Sequence, residues 1–331
     1  MAELVFERAG IALETTSGTA IATPTHYLPF PLMISPRQNT YRPEEARGYR
    51  ARYNRSKVTK KWSDWEIPAT GADVYNLPVL LNMVAPVTAP TTPGGGTNSR
   101  LWTFTRSQTS ATEKTATLFA GDPNIQSFRT AYSVMDEFTI AADASGDEAV
   151  TFEASGRAQT MEKIAAPTYP TMLVGPMVTP LESQLWIDSA SAIGTTAITG
   201  RVISSEFSVS ELRGDPKFFF SGPAASKTFT RFGANTSYAT LKLRFEFFDT
   251  EQYDLLMAET ALKVRVRHNG PLIEAALYHY IEYDIYGIFD EPDWSEAFGT
   301  NRILDLTITS EYNTTAAHDW IVRVQNDRAT L

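Results

Sequence analysis

The side chains best suited to acid–base or metal chemistry are few in this chain of 331 residues. There is no cysteine, which excludes disulfides, thiolate metal sites and cysteine nucleophiles and suits a reducing compartment. The histidines are His26, His268, His279 and His318. No two of them have a metal-binding spacing such as HExxH. His279 alternates with Leu277 and Ile281 in a strand-like run, which favours a histidine of the core or of an interface.

Acidic residues offer a second possible chemistry, because carboxylates serve as acid and base in glycosidases and as calcium ligands. The cluster comprises Asp290, Glu291, Asp293 and Glu296. It lacks the DxDxDG order of an EF-hand, which favours a solvated acidic loop around Pro292. Ser155 and Ser221, each followed by glycine, are not nucleophile elbows, since GxSxG is absent. We therefore expect no enzymatic activity, no catalytic residue, no cofactor and no metal site.

Charge is distributed unevenly along the chain. The formal net charge is -9, yet basic residues dominate between positions 37 and 61, where the acidic ones are Glu44 and Glu45. The basic residues are Arg37, Arg42, Arg47, Arg50, Arg52, Arg55, Lys57, Lys60 and Lys61. This basic segment carries a local charge of +7, which leaves about -16 on the rest of the chain.

The basic segment has three interpretations. Opposite patches on one molecule favour head-to-tail association, so we favour contact with the acidic surface of a second copy of the chain. Nucleic-acid contact is the alternative suggested by Tyr41, Tyr49 and Tyr53, which are interleaved with the arginines. The third interpretation is a solvated loop without a partner. A chain this acidic elsewhere is not typical of a general nucleic-acid binder.

Most of the chain has the pattern of β-strands, in which β-branched and aromatic residues alternate with polar ones. In residues 240–247 the apolar side chains share one face, so one side is core and the other is solvent. The other predicted strands are 62–67, 101–105, 138–142, 149–154, 202–210, 262–267 and 303–309. Two short helices are predicted, one at 250–259 capped by Asp249 and one within 76–84 that starts near Pro78. The pattern indicates a mainly β protein of the β-rich α+β class.

The order of strand, short helix and strands occurs twice, which indicates duplication. Two predicted hairpins, 137–156 and 206–222, also resemble each other, although any two hairpins look alike. The proline-rich segment 165–180 is the predicted junction, and the glycine- and proline-rich stretch 86–98 is a predicted flexible loop. We expect an N-terminal arm (1–30) and two tandem domains, 31–166 and 167–331, each of packed antiparallel sheets with a short helix.

Membrane insertion and secretion are not expected. No apolar run approaches the ~18–20 residues needed to cross a bilayer. The first residues also lack the basic start and apolar centre of a signal peptide. We therefore expect a chain that stays in the cytoplasm in which it is made.

Residues 63–83, SDWEIPATGADVYNLPVLLNM, resemble the strand-to-helix signature of phage tail tube proteins. Residues 14–30 look like the arm that precedes the first tube strand in this family, and 304–313 is similar to its closing strand. The resemblance implies packed β-sheets beside a short helix, which complete a β-barrel with neighbouring subunits. It also implies the major tail tube protein of a long-tailed phage, a structural virion protein assembled in the host cytoplasm.

The partners implied by the resemblance are other copies of the chain, the tape measure protein and the terminator or distal tail proteins. Double-stranded DNA would pass through the channel during ejection without specific binding. An acidic chain suits a lumen over which DNA slides. The duplication predicts a trimeric, pseudo-hexameric ring, because single-domain tube proteins resemble one another in forming rings of six. A hexamer in which the second half is an outer decoration is the rival.

The sequence is compatible with two other functions. A distal tail, terminator or other connector protein would share the fold but form single rings. A carbohydrate-binding β-sandwich or adhesin is suggested by the many tryptophans and tyrosines. However, Trp62, Trp65 and Trp102 lie in strand-like runs, which favours core positions over exposed sugar platforms.

Overall fold

The computed structural model describes residues 7–44, 53, 55–108, 113–189, 192–219, 227–233, 235–247, 250–257, 259–290, 292–298 and 301–331. The expected mainly β class is confirmed, with 53% of the chain in strands and two short helices. The helices are α1 (Leu77–Leu81) and α2 (Glu251–Met257), and residues Pro180–Glu182 form a 3-10 turn.

The strands form antiparallel pairs throughout the described chain. They are β1 (Arg8–Leu13), β2 (His26–Leu28), β3 (Met33–Tyr41), β4 (Lys57–Gly71), β5 (Arg100–Phe104), β6 (Ala116–Asp122), β7 (Gln126–Asp143), β8 (Thr151–Ala158), β9 (Glu162–Ile164), β10 (Ser183–Asp188), β11 (Ala197–Ile198), β12 (Val202–Ser210), β13 (Pro216–Lys217), β14 (Arg231–Phe232), β15 (Tyr238–Phe247), β16 (Leu262–Glu274), β17 (Leu277–Gly287), β18 (Asp293–Phe298), β19 (Asn301–Thr309) and β20 (Trp320–Asn326).

One long sheet, here called the central sheet, crosses both halves of the chain. Its strand order is β3-β4-β8-β7-β12-β15-β19-β18. Two side sheets accompany it. The first side sheet has the order β2-β1-β6-β7-β9, and the second has the order β11-β10-β16-β17-β20-β5.

Strand β7 belongs to two sheets because it changes partners along its length. Residues 126–133 pair with β6 and β9, whereas residues 134–143 pair with β8 and β12. Tyr132 lies at this change with φ 52°, in the left-handed region that interrupts the regular alternation of a strand. One strand can therefore pass from the first side sheet into the central sheet.

The order of pairing in the first half recurs in the second. In the central sheet β3-β4-β8-β7 corresponds to β12-β15-β19-β18, and in both sets a short helix follows the second strand. In the side sheets β2-β1-β6-β7-β9 corresponds to β11-β10-β16-β17-β20. Strand β5 has no counterpart in the second half, and it pairs with β20 at the edge of the second side sheet.

The core lies between the central sheet and the side sheets. Phe207 of β12 stacks on Tyr283 of β17 with ring centroids 4.6 Å apart, and Trp320 of β20 packs edge-on against Phe138 of β7. All four rings are buried. Apolar residues of both halves form one continuous cluster. The predicted strand face of residues 241, 243 and 245 is part of this cluster.

Glycine at position 156 is required by the packing of β8. A Cβ atom there would lie 2.0 Å from the Val134 carbonyl oxygen and 2.7 Å from the Trp65 ring. Trp65 fills this space, and its Nε1–H donates to the Val134 carbonyl at 3.0 Å. The prediction of Trp65 and Trp102 as core residues is confirmed, whereas Trp62 is only half-buried.

Several sequence predictions need correction. The first predicted hairpin is confirmed as β7 and β8, but the second is wrong. Strand β12 pairs with β15 and β7. The polar residues around position 214 begin a long connection instead of a tight turn, and in it Pro216–Lys217 pairs with Arg231–Phe232. Strand β19 ends at Thr309, and the strand β20 that follows was not predicted.

Part of the predicted N-terminal arm is integrated into the fold. Strand β1 pairs with β6 along its whole length and with β2 on its other side, and Ile11 is fully buried. Residues 1–6 lie outside the described part of the chain.

The stretch 86–98, expected to be a flexible loop, is anchored at its end. Glu274 accepts hydrogen bonds from the backbone N–H groups of residues 97–99 at 2.7–2.8 Å. These bonds lower the pKa of Glu274 to about 2.

Candidate subunit interface

The described residues of the basic segment belong to a hairpin at one edge of the central sheet. Strands β3 and β4 pair from Met33–Glu66 to Tyr41–Lys57, and a bridge between Glu44 and Tyr53 continues the hairpin beyond them. Residues 35–41 are exposed on both faces. An isolated two-stranded ribbon is marginally stable in water, so this hairpin gains stability from any surface that covers it.

The predicted basic residues fall into three groups. Arg47, Arg50 and Arg52 lie outside the described residues. Arg42, Arg55 and Lys57 are exposed around the outer part of the hairpin. The remaining residues, Arg37, Lys60 and Lys61, are on β3 and β4.

The inner part of the hairpin has contacts within the chain. Arg37 pairs with Asp64 at 2.7 Å on an exposed surface, where an ion pair contributes at most about 1 kcal/mol. The ammonium of Lys60 lies 4.7 Å from the centroid of the Phe218 ring. The backbone N–H of Lys61 donates to the carbonyl of Lys227 at 3.0 Å. The base of the hairpin therefore contacts the segment between β12 and β15.

The opposite edge of the central sheet is acidic. Strand β18 starts at the exposed Asp293, which pairs in register with Asp305 of β19. Asp290 is also exposed and accepts a hydrogen bond from Thr309 Oγ1 at 2.8 Å. Asp290 and Asp293 are exposed, as expected for the acidic cluster, but Asp293 begins strand β18 and is not part of a loop. Residue 291 and the side chain of residue 296 lie outside the description.

An exposed tryptophan accompanies the acidic edge. The Trp294 ring packs edge-on against Phe247 at 4.9 Å, but 42% of the residue remains exposed. Large exposed rings next to a sheet edge are typical of protein contact surfaces.

The two halves of the chain meet where β7 pairs with β12, and this pairing is here called the internal joint. Strands β7 and β12 pair antiparallel from Ser204–Asp143 to Val209–Phe138. On the polar face of this joint the hydroxyls of Thr139 and Ser208 are 3.1 Å apart. On the core face the rings of Phe138 and Phe207 have centroids 6.2 Å apart.

The described residues of the segment 211–237, which connects β12 to β15, contact strands of the first half beyond this internal joint. The backbone N–H of Leu212 donates to the Asp136 carbonyl at 3.0 Å. Gln159 Nε2 donates to the Phe229 carbonyl at 3.1 Å, and the Phe229 ring lies 5.4 Å from the Tyr132 ring. This connection occupies the same place between the strands of the second half as the basic hairpin occupies in the first half.

The face of the central sheet opposite the core is polar. Its ladders include the row Thr139, Ser208, Thr240 and Thr309. Acidic side chains on this face come from β4, β8, β7, β12 and β19, and are Glu66, Glu153, Glu137, Asp143, Glu206 and Asp305. Lys242 and Arg244 on β15 and Arg157 on β8 lie on the same face.

Three of the four histidines are buried, and His26 is half-buried. Burial lowers the pKa of all four, to about 3 for His268 and about 4 for His26. His279 is buried, in agreement with the sequence prediction of a core or interface histidine. Among the described residues no three acidic or histidine side chains are arranged to hold a metal ion. No described helix is long and apolar enough to cross a membrane.

A buried ion network in the second side sheet was not anticipated. Asp284 and Glu282 are at most 2% exposed and alternate on β17 with core residues. Arg265, Arg267 and Arg323 pair with them from both neighbouring strands at 2.5–2.7 Å. These bonds keep the pKa of the Asp284 carboxyl low, although burial alone would raise it. The signal was present in the alternating charges of residues 265–267 and 282–284, which sequence reasoning would assign to solvent.

Comparison with known families identifies the chain. The model of the phage tail tube protein family matches residues 7–275, which is most of the chain. No curated protein matches the chain. The sequence resemblance in residues 63–83 lies within the matched region. The chain therefore belongs to the phage tail tube protein family: it is a structural, non-enzymatic protein of the virion tail that associates with itself to build the tube.

Proposed function

We propose that three copies of this chain form each ring of the tail tube, with two tube units supplied by every chain. The observation that carries this proposal is the recurrence of one pairing order in both halves. The sequence placed the units at 31–166 and 167–331. The recurrent order supports a first unit that begins earlier, at β1, and a second that begins at β10, with the junction within residues 165–182.

The central sheet would form the wall of the channel. Eight strands of one chain already run side by side in it, four from each half. A sheet that closes on itself through identical neighbours leaves no free edge, which removes the hazard of uncontrolled strand addition. The polar, largely acidic face would then line the lumen, because the opposite face is buried against the side sheets. Like charge on wall and phosphate would let DNA pass without adhering.

The basic segment would contact a neighbouring subunit. The described residues of the connection 211–237 contact the first half on the far side of the joint between the two halves. The basic hairpin has the equivalent position in the first half, so it would cross the joint between two chains in the same way. The surface it would meet carries Asp290 and Asp293, which complement its charge.

The number of chains per ring tests the proposal. We expect purified protein to form long tubes, and native mass measurement of isolated rings to give three chains with pseudo-sixfold density around the channel. Six chains per ring would refute the two-unit ring and support the hexamer with a decorating second half. Single rings that never elongate would favour a connector over the tube subunit. The further partners would be the tape measure protein and the terminator or distal tail proteins, as the family resemblance implies.

Charge reversal tests the basic segment. The triple variant R50E/R52E/R55E should remain folded but form fewer and shorter tubes, because repulsion replaces attraction at the joint between chains. Lys163→Glu reverses an exposed charge on β9, outside the central sheet, and should assemble normally. Raising the salt concentration should weaken wild-type assembly, since exposed charges are screened over about 8 Å at physiological ionic strength. Tubes of normal length from the triple variant would contradict the assignment.

A further inference from the structure

The two edge strands of the central sheet, β3 and β18, are the counterparts of β12 and β7, the two strands that pair at the internal joint. We propose that β18 of one chain pairs antiparallel with β3 of a second copy, in the register that β7 and β12 adopt within the chain. This inference rests on the proposed ring and specifies its contact between chains. In the described residues β3 has β4 as its strand partner, and β18 has β19. Each therefore presents a further edge.

The equivalence of the strands follows from their order. Strand β7 ends the first set of four, and β18 ends the second set. Strand β12, which pairs with β7, begins the second set, just as β3 begins the first. Repeating the internal joint once more therefore places β3 of a new chain beside β18.

The register is set by matching the two sets residue by residue. A polar row in the first set consists of Met33, Glu66, Ser155 and Glu137. Its match in the second set is Ser204, Arg244, Asp305 and Asp293. With this match the core residues Ile67 and Phe245 are equivalent. Tyr75 and Tyr253 are equivalent too, because each follows its row residue, Glu66 or Arg244, by nine positions.

Each residue pair of the internal joint predicts an equivalent pair at the contact between chains. The pair Ser208–Thr139 becomes Arg37 of one chain opposite position 295 of the next. The pair Val209–Phe138 becomes Gln38 opposite Trp294. A slip of one residue in this pairing would turn every side chain of the strand to the opposite face of the sheet.

The transferred register accounts for the exposed tryptophan. Trp294 takes the place of Phe138, which is 1% exposed because the β12 residue Phe207 and other rings cover it. The residue equivalent to Phe207 on β3 is Pro36, which is exposed. The pyrrolidine ring of a neighbour's Pro36 would cover the indole that the single chain leaves 42% exposed.

Charge and the edge proline fit the same arrangement. Arg37 would lie diagonally across from Asp293, within reach of a long side chain on the same face. Pro36 has no N–H, so the joint between chains has one potential donor fewer than a full ladder. A proline on an edge strand also discourages the addition of unrelated strands. It therefore favours a partner strand whose tryptophan packs against the proline ring.

Engineered cysteines test the register without interference, because the chain has no cysteine of its own. Wild-type tubes and tubes of R37C/S295C are assembled in reductant, oxidised, and run on non-reducing gels. We expect covalent dimers and trimers from R37C/S295C and none from either single variant. The pair T139C/S208C is the positive control for geometry, since its hydroxyls are 3.1 Å apart within one chain. It should form an internal disulfide, detected by mass, without joining chains.

The controls separate the pairing from the ring itself. Q38C/S295C is displaced by one residue and should not cross-link. If R37C/S295C fails to assemble, N39C/D293C tests the adjacent pair on the same face and should cross-link. Tubes that form normally while both matched pairs cross-link no better than Q38C/S295C would overturn the register but not the tube function. Absence of any wild-type ring or tube would overturn both.

Discussion

Replacement of His268 is expected to remove part of the acid sensitivity of this protein. His268 is fully buried between the sheets. Its Nδ1 lies 2.6 Å from Ser183 Oγ, and its Nε2 lies 3.1 Å from Tyr283 Oη. The Tyr283 hydroxyl donates to Ser205 Oγ, so the neutral ring donates through Nε2 and accepts at Nδ1. No charged side chain takes part in this chain of hydrogen bonds.

Burial lowers the pKa of His268 from 6.5 to about 3. The unfolded chain therefore binds a proton more readily than the folded chain between these values. The contribution to stability is complete above the unfolded pKa and is lost as the pH falls towards the folded pKa. Between about pH 7 and about pH 5 the loss is about 2 kcal/mol, from a conversion of about 1.4 kcal/mol per pH unit.

Urea unfolding of dilute monomer at these two pH values measures the effect. His268→Gln keeps a donor and an acceptor, and should lower the stability at neutral pH while losing about 2 kcal/mol less than wild type on acidification. His26→Gln is the control at a half-buried ring, where solvent reduces the effect. NMR titration should show no protonation of His268 down to about pH 5. An equal pH dependence in wild type and His268→Gln, or a titration midpoint near 6.5, would refute the reasoning.

Three substitutions test the packing and the buried charges, each by urea unfolding. Gly156→Ala should cost about 3 kcal/mol, because its Cβ would meet the Val134 carbonyl at 2.0 Å, whereas Gly71→Ala meets nothing within 4 Å and should be nearly neutral. Asp188→Asn should cost about 2 kcal/mol at neutral pH. Burial raises the pKa of Asp188, but bonds from residues 194–196 lower it overall to about 2, so this stabilisation should vanish as the pH falls from 3.8 towards that value. Asp284→Asn should cost about 3–5 kcal/mol, since it leaves buried guanidinium groups short of a partner, and an unchanged midpoint would contradict the network.

Local patterns were sufficient for the fold class and for many elements. Strand β12 was predicted with its observed bounds, because alternation of apolar and polar residues is a property of neighbouring positions alone. The short helix near Pro78 followed from the tolerance of proline in a first turn. The family resemblance in residues 63–83 was equally local, and the match to the tail tube family confirmed it.

The charge pattern determined part of the candidate interface. The excess of basic residues at 37–61 singled out one hairpin, and the structure places β3 of that hairpin at an edge of the central sheet. The opposite edge could not be recognised from sequence, because only the strand order of the folded sheet places Asp293 and Trp294 there. The second predicted hairpin was wrong for a related reason, since β12 pairs with a strand from the other half of the chain.

Pairing between distant strands was decided by the tertiary structure. The sequence by itself determined a β-rich, cysteine-free, acidic chain with a basic hairpin and an echo of strand and helix. It did not determine that β7 joins β12, that β5 crosses to the second side sheet, or that Arg265 and Arg323 neutralise Asp284. These choices depend on which faces must be buried together, and the free energy of burying apolar area and pairing charges belongs to the assembled sheets and not to any single segment.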